Sequence, residues 1–210
     1  MLGTTIKVGA GVAVLTAVSA SSYFIRGYYN TERITHRITN GGMTLLTSWD
    51  DDKEWLKRWK EYLNGDKNVW QLADYAQAKA NSNVVPKSFK NKCSDSAYLA
   101  IEGNESLFSQ VKDYCTKSFK ITDLLKEEKV TLLKQGDSND LWKAAWGKYL
   151  NDNKNSNPLE IDKWNLSITK NKNNLPSDYS SKCINTQGRE VRTKRDQHFI
   201  SVKNWCTQIN

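Results

Sequence analysis

Histidine is almost missing from this sequence: only His36 and His198 occur in 210 residues. None of the four cysteines forms a C-x-x-C pair, and His198 alone lies near one, so the ligand set of a structural zinc site is absent. No phosphate-cradling loop is present either. Gly9-Ala10-Gly11 follows no strand and has no third glycine in register. Asp50-Asp51-Asp52 lacks EF-hand spacing and stands where a helix begins, a position in which carboxylates favour the helix dipole. No nucleophile, base and acid are brought into one pattern, so the sequence predicts no enzyme, no metal and no cofactor. Apolar residues are also scarce, at 38% with a mean hydropathy of −0.70. Eight Trp, nine Tyr and five Phe nevertheless supply large burial per residue, which excludes general disorder.

The one long apolar run is at the amino terminus. Lys7 precedes the uncharged stretch Val8–Ile25, and Arg26, Tyr28 and Tyr29 follow it. Eighteen residues at about 1.5 Å each span roughly 27 Å, close to a hydrocarbon core of ~30 Å, and the arginine and tyrosines suit an interfacial border. Residues 1–25 are therefore expected to be a signal anchor, giving a single-pass cell-membrane protein with the rest of the chain outside. The small residues Val18-Ser19-Ala20 keep open the alternative of a cleaved signal peptide and a secreted product.

Beyond residue 40 the chain repeats itself. An offset of 87 aligns Leu45-Leu46 with Leu132-Leu133, Trp55 with Trp142, Trp59 with Trp146, and Tyr62-Leu63-Asn64 with Tyr149-Leu150-Asn151. At an offset of 90, Pro86 meets Pro176, Phe89 meets Tyr179 and Cys93 meets Cys183; at 91, Phe108, Val111 and Cys115 meet Phe199, Val202 and Cys206. The register drifts in polar stretches, as insertions into surface loops would. Trp55, Trp59, Tyr62 and Leu63 lie at i, i+4, i+7 and i+8, one face of a helix, which we read as core; Ser48 with Asp51 supplies its start. Val69–Ala80 and Leu159–Thr169 are weaker helical segments, and Pro86 and Pro176 suit the start of the next helix.

The cysteines follow the repeat. Two antiparallel helices would bring Cys93 near Cys115 and Cys183 near Cys206, and of the three possible connectivities this one respects the internal symmetry. Four buried thiols would be the alternative if the modules faced a reducing cytoplasm. His198 takes the place of Leu107 and is expected at a core edge. A Cys206–His198 nucleophilic pair is disfavoured because Cys206 has a partner and Cys115 stands beside no histidine.

Charge divides the copies. Residues 41–120 carry 12 Lys+Arg against 11 Asp+Glu, whereas residues 129–210 carry 14 against 8. The cluster Arg189, Arg192, Lys194 and Arg195 between Cys183 and Cys206 has no basic counterpart; the first copy has Glu102 and Glu105 there. These four cations are the candidate anion-binding residues, for a polyanionic or host surface ligand. No aromatics are interleaved for base stacking, so sequence-specific nucleic-acid binding is not expected.

The amino-terminal Gly/Ala/Val segment Leu2–Ser22, the Thr-Leu-Leu turns at Thr44-Leu45-Leu46 and Thr131-Leu132-Leu133, and the endings Tyr114-Cys115-Thr116 and Trp205-Cys206-Thr207 resemble the large paralogous families of uncharacterised surface-type proteins in the haemotropic mycoplasmas. The resemblance implies an exposed, antigenically variable protein and lends no catalytic or binding residue. The expectation is a mainly α protein: a membrane segment at 1–25, a spacer at 26–40, a helical module at 41–120, a linker at 121–128 and a second helical module at 129–210, each module stapled by one disulfide. Its expected role is structural, interaction or antigenic display, with polyanion or host-ligand binding by the basic loop as the alternative.

Overall fold

A computed structural model describes residues 31–65, 67–164 and 171–209. The expected membrane segment lies outside them, and among the described residues no helix is long and apolar enough to cross a membrane. The chain is mainly helical and folds as two similar halves with one disulfide in each. The elements of module one are α1 (Ile34–Asn40), α2 (Asp52–Asn64), α3 (Tyr75–Ala80), α4 (Lys87–Ala97) and α5 (Glu105–Tyr114). Module two follows with β1 (Phe119–Lys120), α6 (Ile121–Glu127), α7 (Asn139–Asp152), α8 (Tyr179–Gln187), β2 (Glu190–Val191) and α9 (Gln197–Trp205).

Two expectations are corrected here. The spacer at 26–40 is helical over α1, with Ile34 and Ile38 fully buried in the core of module one. The linker at 121–128 is α6, with Ile121, Leu124 and Leu125 buried in the core of module two. The two helices are equivalents: Ile34-Thr35 and Ile121-Thr122 stand at the same offset of 87 as the tryptophans. Seven residues make two turns at most, too short for a 3.6-residue period to show. Both helices are pinned the same way, Ile34 N–H donating to Leu99 O at 3.0 Å and Ile121 N–H to Arg189 O at 3.1 Å. Beside them, the antiparallel pair β1–β2 sets Lys120 opposite Glu190, as a single bridge sets Arg33 opposite Ala100.

The long helix of each module forms where the stripe predicts. The Asp51 carboxylate accepts from Lys53 N–H at 2.9 Å and caps α2, so Asp51 rather than Ser48 is the cap; Ser138 caps α7 by accepting from Leu141 N–H. Trp55, Trp59 and Tyr62 are buried in one core, and Trp142, Trp146 and Tyr149 in the other. In each, the second tryptophan stacks on the tyrosine, with centroids 5.6 Å and 5.5 Å apart and ring planes 18° from parallel. The tyrosine hydroxyl then latches the following loop. Tyr62 donates to Asn68 Oδ1 at 2.9 Å and accepts from Trp70 N–H at 3.0 Å; Tyr149 donates to Asn157 Oδ1 at 2.8 Å and accepts from Leu159 N–H at 3.2 Å. Each asparagine donates onward to a backbone carbonyl, of Leu72 or Ile161, at 2.9 Å. The loop therefore keeps its polar atoms satisfied while burying Trp70, Leu72, Leu159 and Ile161.

Pro86 is the N-cap of α4, with φ −72° and ψ 145°, and Pro176 stands three residues before α8. Cys93 on α4 joins Cys115 after α5, and Cys183 on α8 joins Cys206 after α9; the Cα–Cα separation is 5.5 Å in both. Each module closes by bringing its start to its end, Leu46 N–H donating to Cys115 O and Leu133 N–H to Cys206 O.

Candidate functional site: the joint between the modules

Of the four cations singled out in the sequence, Arg189 directly precedes β2 and Arg192, Lys194 and Arg195 lie on the loop after it, and each has a partner within the chain. Arg189 Nη1 lies 2.8 Å from His198 Nε2, and Lys194 pairs with Glu128 at 2.8 Å. Lys203 reaches the same carboxylate, and the hydrogen bonds from the two lysines hold Glu128 below the usual carboxylate range. These contacts stay inside module two. The other two cations cross to module one. Arg192 Nη2 donates to Asp113 O at 2.8 Å and to Glu61 Oε2 at 3.2 Å, and Arg195 Nη1 donates to Asn40 O at 2.8 Å. Between them, Thr193 Oγ1 donates to Gly41 O at 3.1 Å. Gly42 is required at this contact: its φ is +75°, and a Cβ there would lie 2.8 Å from Thr193 Oγ1.

The receiving surface combines Lys57, Arg58 and Glu61 of α2 with Ser118 and the backbone carbonyls of Asn40, Gly41 and Asp113. Arg58 is only 1% exposed; it pairs with Glu61 and donates through Nη2 to Ser118 Oγ at 2.7 Å. Lys57 donates to the same hydroxyl at 2.8 Å and pairs with Glu190 of module two. The Ser118 hydroxyl in turn donates a hydrogen bond to Glu190 Oε2 at 2.5 Å. A single hydroxyl thus accepts from two cations and donates to an anion across the joint. Three cations, Lys57, Arg58 and Arg192, are met by Glu61 and Glu190. Burial, reinforced by the neighbouring Arg58, lowers the Lys57 ammonium from its ordinary value; burial also lowers Arg58, against the pull of Glu61.

No family model, curated protein or solved structure matches this chain. The chemistry of the joint is that of a clamp. Its charges pair with one another and with backbone carbonyls, although the Nε atoms of Arg58 and Arg192 are buried without a hydrogen-bond partner.

Elsewhere the candidate residues of the sequence have structural partners. Asp50 accepts from Thr47 N–H at 2.8 Å and pairs with Lys117; burial opposes its ionisation, yet these contacts hold its carboxyl below the usual value. Asp51 is the cap, and Asp52 pairs with Lys90 at 2.9 Å. Among the described residues no group of three His, Cys, Asp or Glu could hold a metal ion. His36 is exposed on α1 and His198 is half-buried on α9.

Sequence reasoning missed Lys57, Arg58, Glu61, Ser118 and Glu190 as parts of the joint. A signal was present in the difference between the copies. At the offset of 87, Arg58 stands where module two has Ala145, and a long cation on a core-flanking position of one copy marks a contact that the other copy lacks. Trp49 was also passed over; it is 93% exposed on the turn before α2, where module two has Gly136.

Proposed function

We propose that this chain is a displayed structural or interaction protein: two disulfide-stapled helical modules clamped into one unit, held at a membrane by residues 1–25 or exported through them. The observation that carries this reading is the use made of the basic loop. Arg192 and Arg195, half of the second module's distinctive chemistry, reach across to Glu61 and Asn40 of module one. Such contacts join the modules and leave the outer turns free for contact with other molecules. Trp49 is one such residue, set on a turn stiffened by Asp50, and rigid exposed indoles are common anchors of protein contacts. Paired cysteines in both modules suit an oxidising, extracellular compartment, as does the resemblance to mycoplasma surface proteins.

Protease shaving of intact cells tests the reading. Peptides from residues 41–120 and 129–210 should be released without lysis, the paired cysteines still joined in non-reducing maps. Release of these peptides only after the cells are broken would place the modules inside and end the display role.

A further inference from the structure

The joint is a heterologous contact: module one contributes a helix face and module two contributes a loop. Because the modules are equivalent, each leaves its other half unused. Among the described residues, neither the α7 face of module two nor the 98–105 loop of module one makes a hydrogen bond or ion pair with the other module; the loop is held only within module one, where Leu99 O accepts from Ile34 N–H. On the face, Lys57, Glu61 and Ser118 correspond to Ala144, Lys148 and Ile209; on the loop, Arg189, Glu190 and Arg192 correspond to Leu99, Ala100 and Glu102. Two changes occur together. At the counterpart positions the ion pair Lys57–Glu190 is replaced by Ala144 and Ala100, and the pair Arg192–Glu61 by Lys148 and Glu102, with its sign reversed on both sides.

The unused surfaces look like contact surfaces. Ile209 is 48% exposed and Leu99 45%, and Tyr98 is exposed beside Leu99. Ala144, Gly147, Lys148 and Ile209 line an open cleft of about 590 Å³, where Lys143 and Lys172 add positive charge and Asp152 a single negative one. The loop that would enter it carries Glu102 and Glu105, both exposed. Lys148 is now paired with Asp152 on its own helix at 2.8 Å, an exposed pair that is readily exchanged.

We propose that this surface takes a second copy of the same chain, joined head to tail: the 98–105 loop of one chain docks on the α7 face of the next, with Glu102 against Lys148 of the partner molecule. The inference stands on the internal joint and does not depend on the display role. A heterologous contact of this kind propagates into a filament or closes into a ring. It lacks the covalent link that Ser118 and Phe119 supply inside the chain, so it has to meet the full entropic cost of association and is concentration-dependent.

Charge exchange on the full chain in detergent provides the test, with size followed by sedimentation velocity up to ~1 mM, the range in which weak contacts assemble. The wild-type chain should grow in mass with concentration. Glu102→Lys and Lys148→Glu should each weaken association on the order of tenfold or more, because like charges then meet. The double variant E102K/K148E, and an equimolar mixture of the two single variants, should recover it. A wild-type chain that stays monomeric throughout overturns the proposal. So does association indifferent to the single reversals, or a double variant as weak as either single one, since apolar sticking of residues 1–30 would not follow the sign of these two positions.

Discussion

Arg58 and Ala145 occupy the same position in the two modules, and the contrast shows what a buried charge demands. Alanine needs no partner, whereas a guanidinium at 1% exposure depends on Glu61 and Ser118 to offset its desolvation. Glu61→Gln should therefore destabilise module one by about 1–3 kcal/mol in urea unfolding, the range for a hydrogen bond to a charged group, because Arg58 is buried whereas Glu61 keeps 37% of its surface in water. A loss below ~1 kcal/mol would mean that Arg58 is satisfied without its carboxylate. The buried phenols make a second residue-scale prediction. Burial pushes Tyr149 up to about 12 and raises Tyr179 and Tyr62 as well. Unfolded tyrosine ionises near pH ~10, so the fold holds these phenols neutral where the unfolded chain would release their protons. Their contribution is complete below about pH 10 and is lost as pH rises toward the folded value. Absorbance of tyrosinate should show three phenols titrating late and together with the loss of helical circular dichroism. Titration of all nine tyrosines near pH 10 in a folded chain would contradict their burial.

At the scale of elements, each module is held by three devices: an aromatic stripe on its long helix, a tyrosine–asparagine latch on the next loop, and a disulfide closing the last two helices. Trp55→Ala and Trp142→Ala should each cost about 3–5 kcal/mol, enough to unfold a small module. The disulfides close separations of 22 and 23 residues, so reducing either should remove about 3 kcal/mol. Alkylation of native protein should label no thiol, and reduction should expose four. Free thiols in protein taken from cells, or a pairing between the modules, would contradict the observed connectivity. The stripe and the cysteine pairing are readable from residues alone because both repeat at fixed offsets. The latch is harder to see, since Asn68 and Asn157 look like ordinary loop asparagines until the tyrosine hydroxyl is placed beside them.

For the whole molecule, the decisive feature is that the modules have separate cores and are joined through polar and charged contacts. Charges near the surface are screened as the Debye length falls from ~10 Å at 0.1 M salt to ~3 Å at 1 M, so the joint should loosen in salt while the modules persist. Replacing Arg192 and Arg195 together with serine should have the same effect. Calorimetry should show one cooperative transition in the wild-type chain at low salt and two in the variant. A single unchanged transition would show that the remaining contacts across the joint, such as Thr193 Oγ1 to Gly41 O and Lys57 to Glu190, together with the chain connection, suffice to couple the modules.

The sequence by itself determined the helical class, the two copies, the aromatic faces and the disulfide partners. Each is a local or periodic property: a face is set by spacing along one helix, and a repeat by self-comparison. Tertiary structure alone decided that α1 and α6 belong to the cores, because two buried isoleucines or leucines one turn apart carry no detectable period until a surface is there to cover them. It also decided the fate of the basic loop. Net charge and exposure describe a loop only up to the point where another element comes within hydrogen-bonding distance, and the acceptors of Arg192 and Arg195 lie 79 to 155 residues away in the chain.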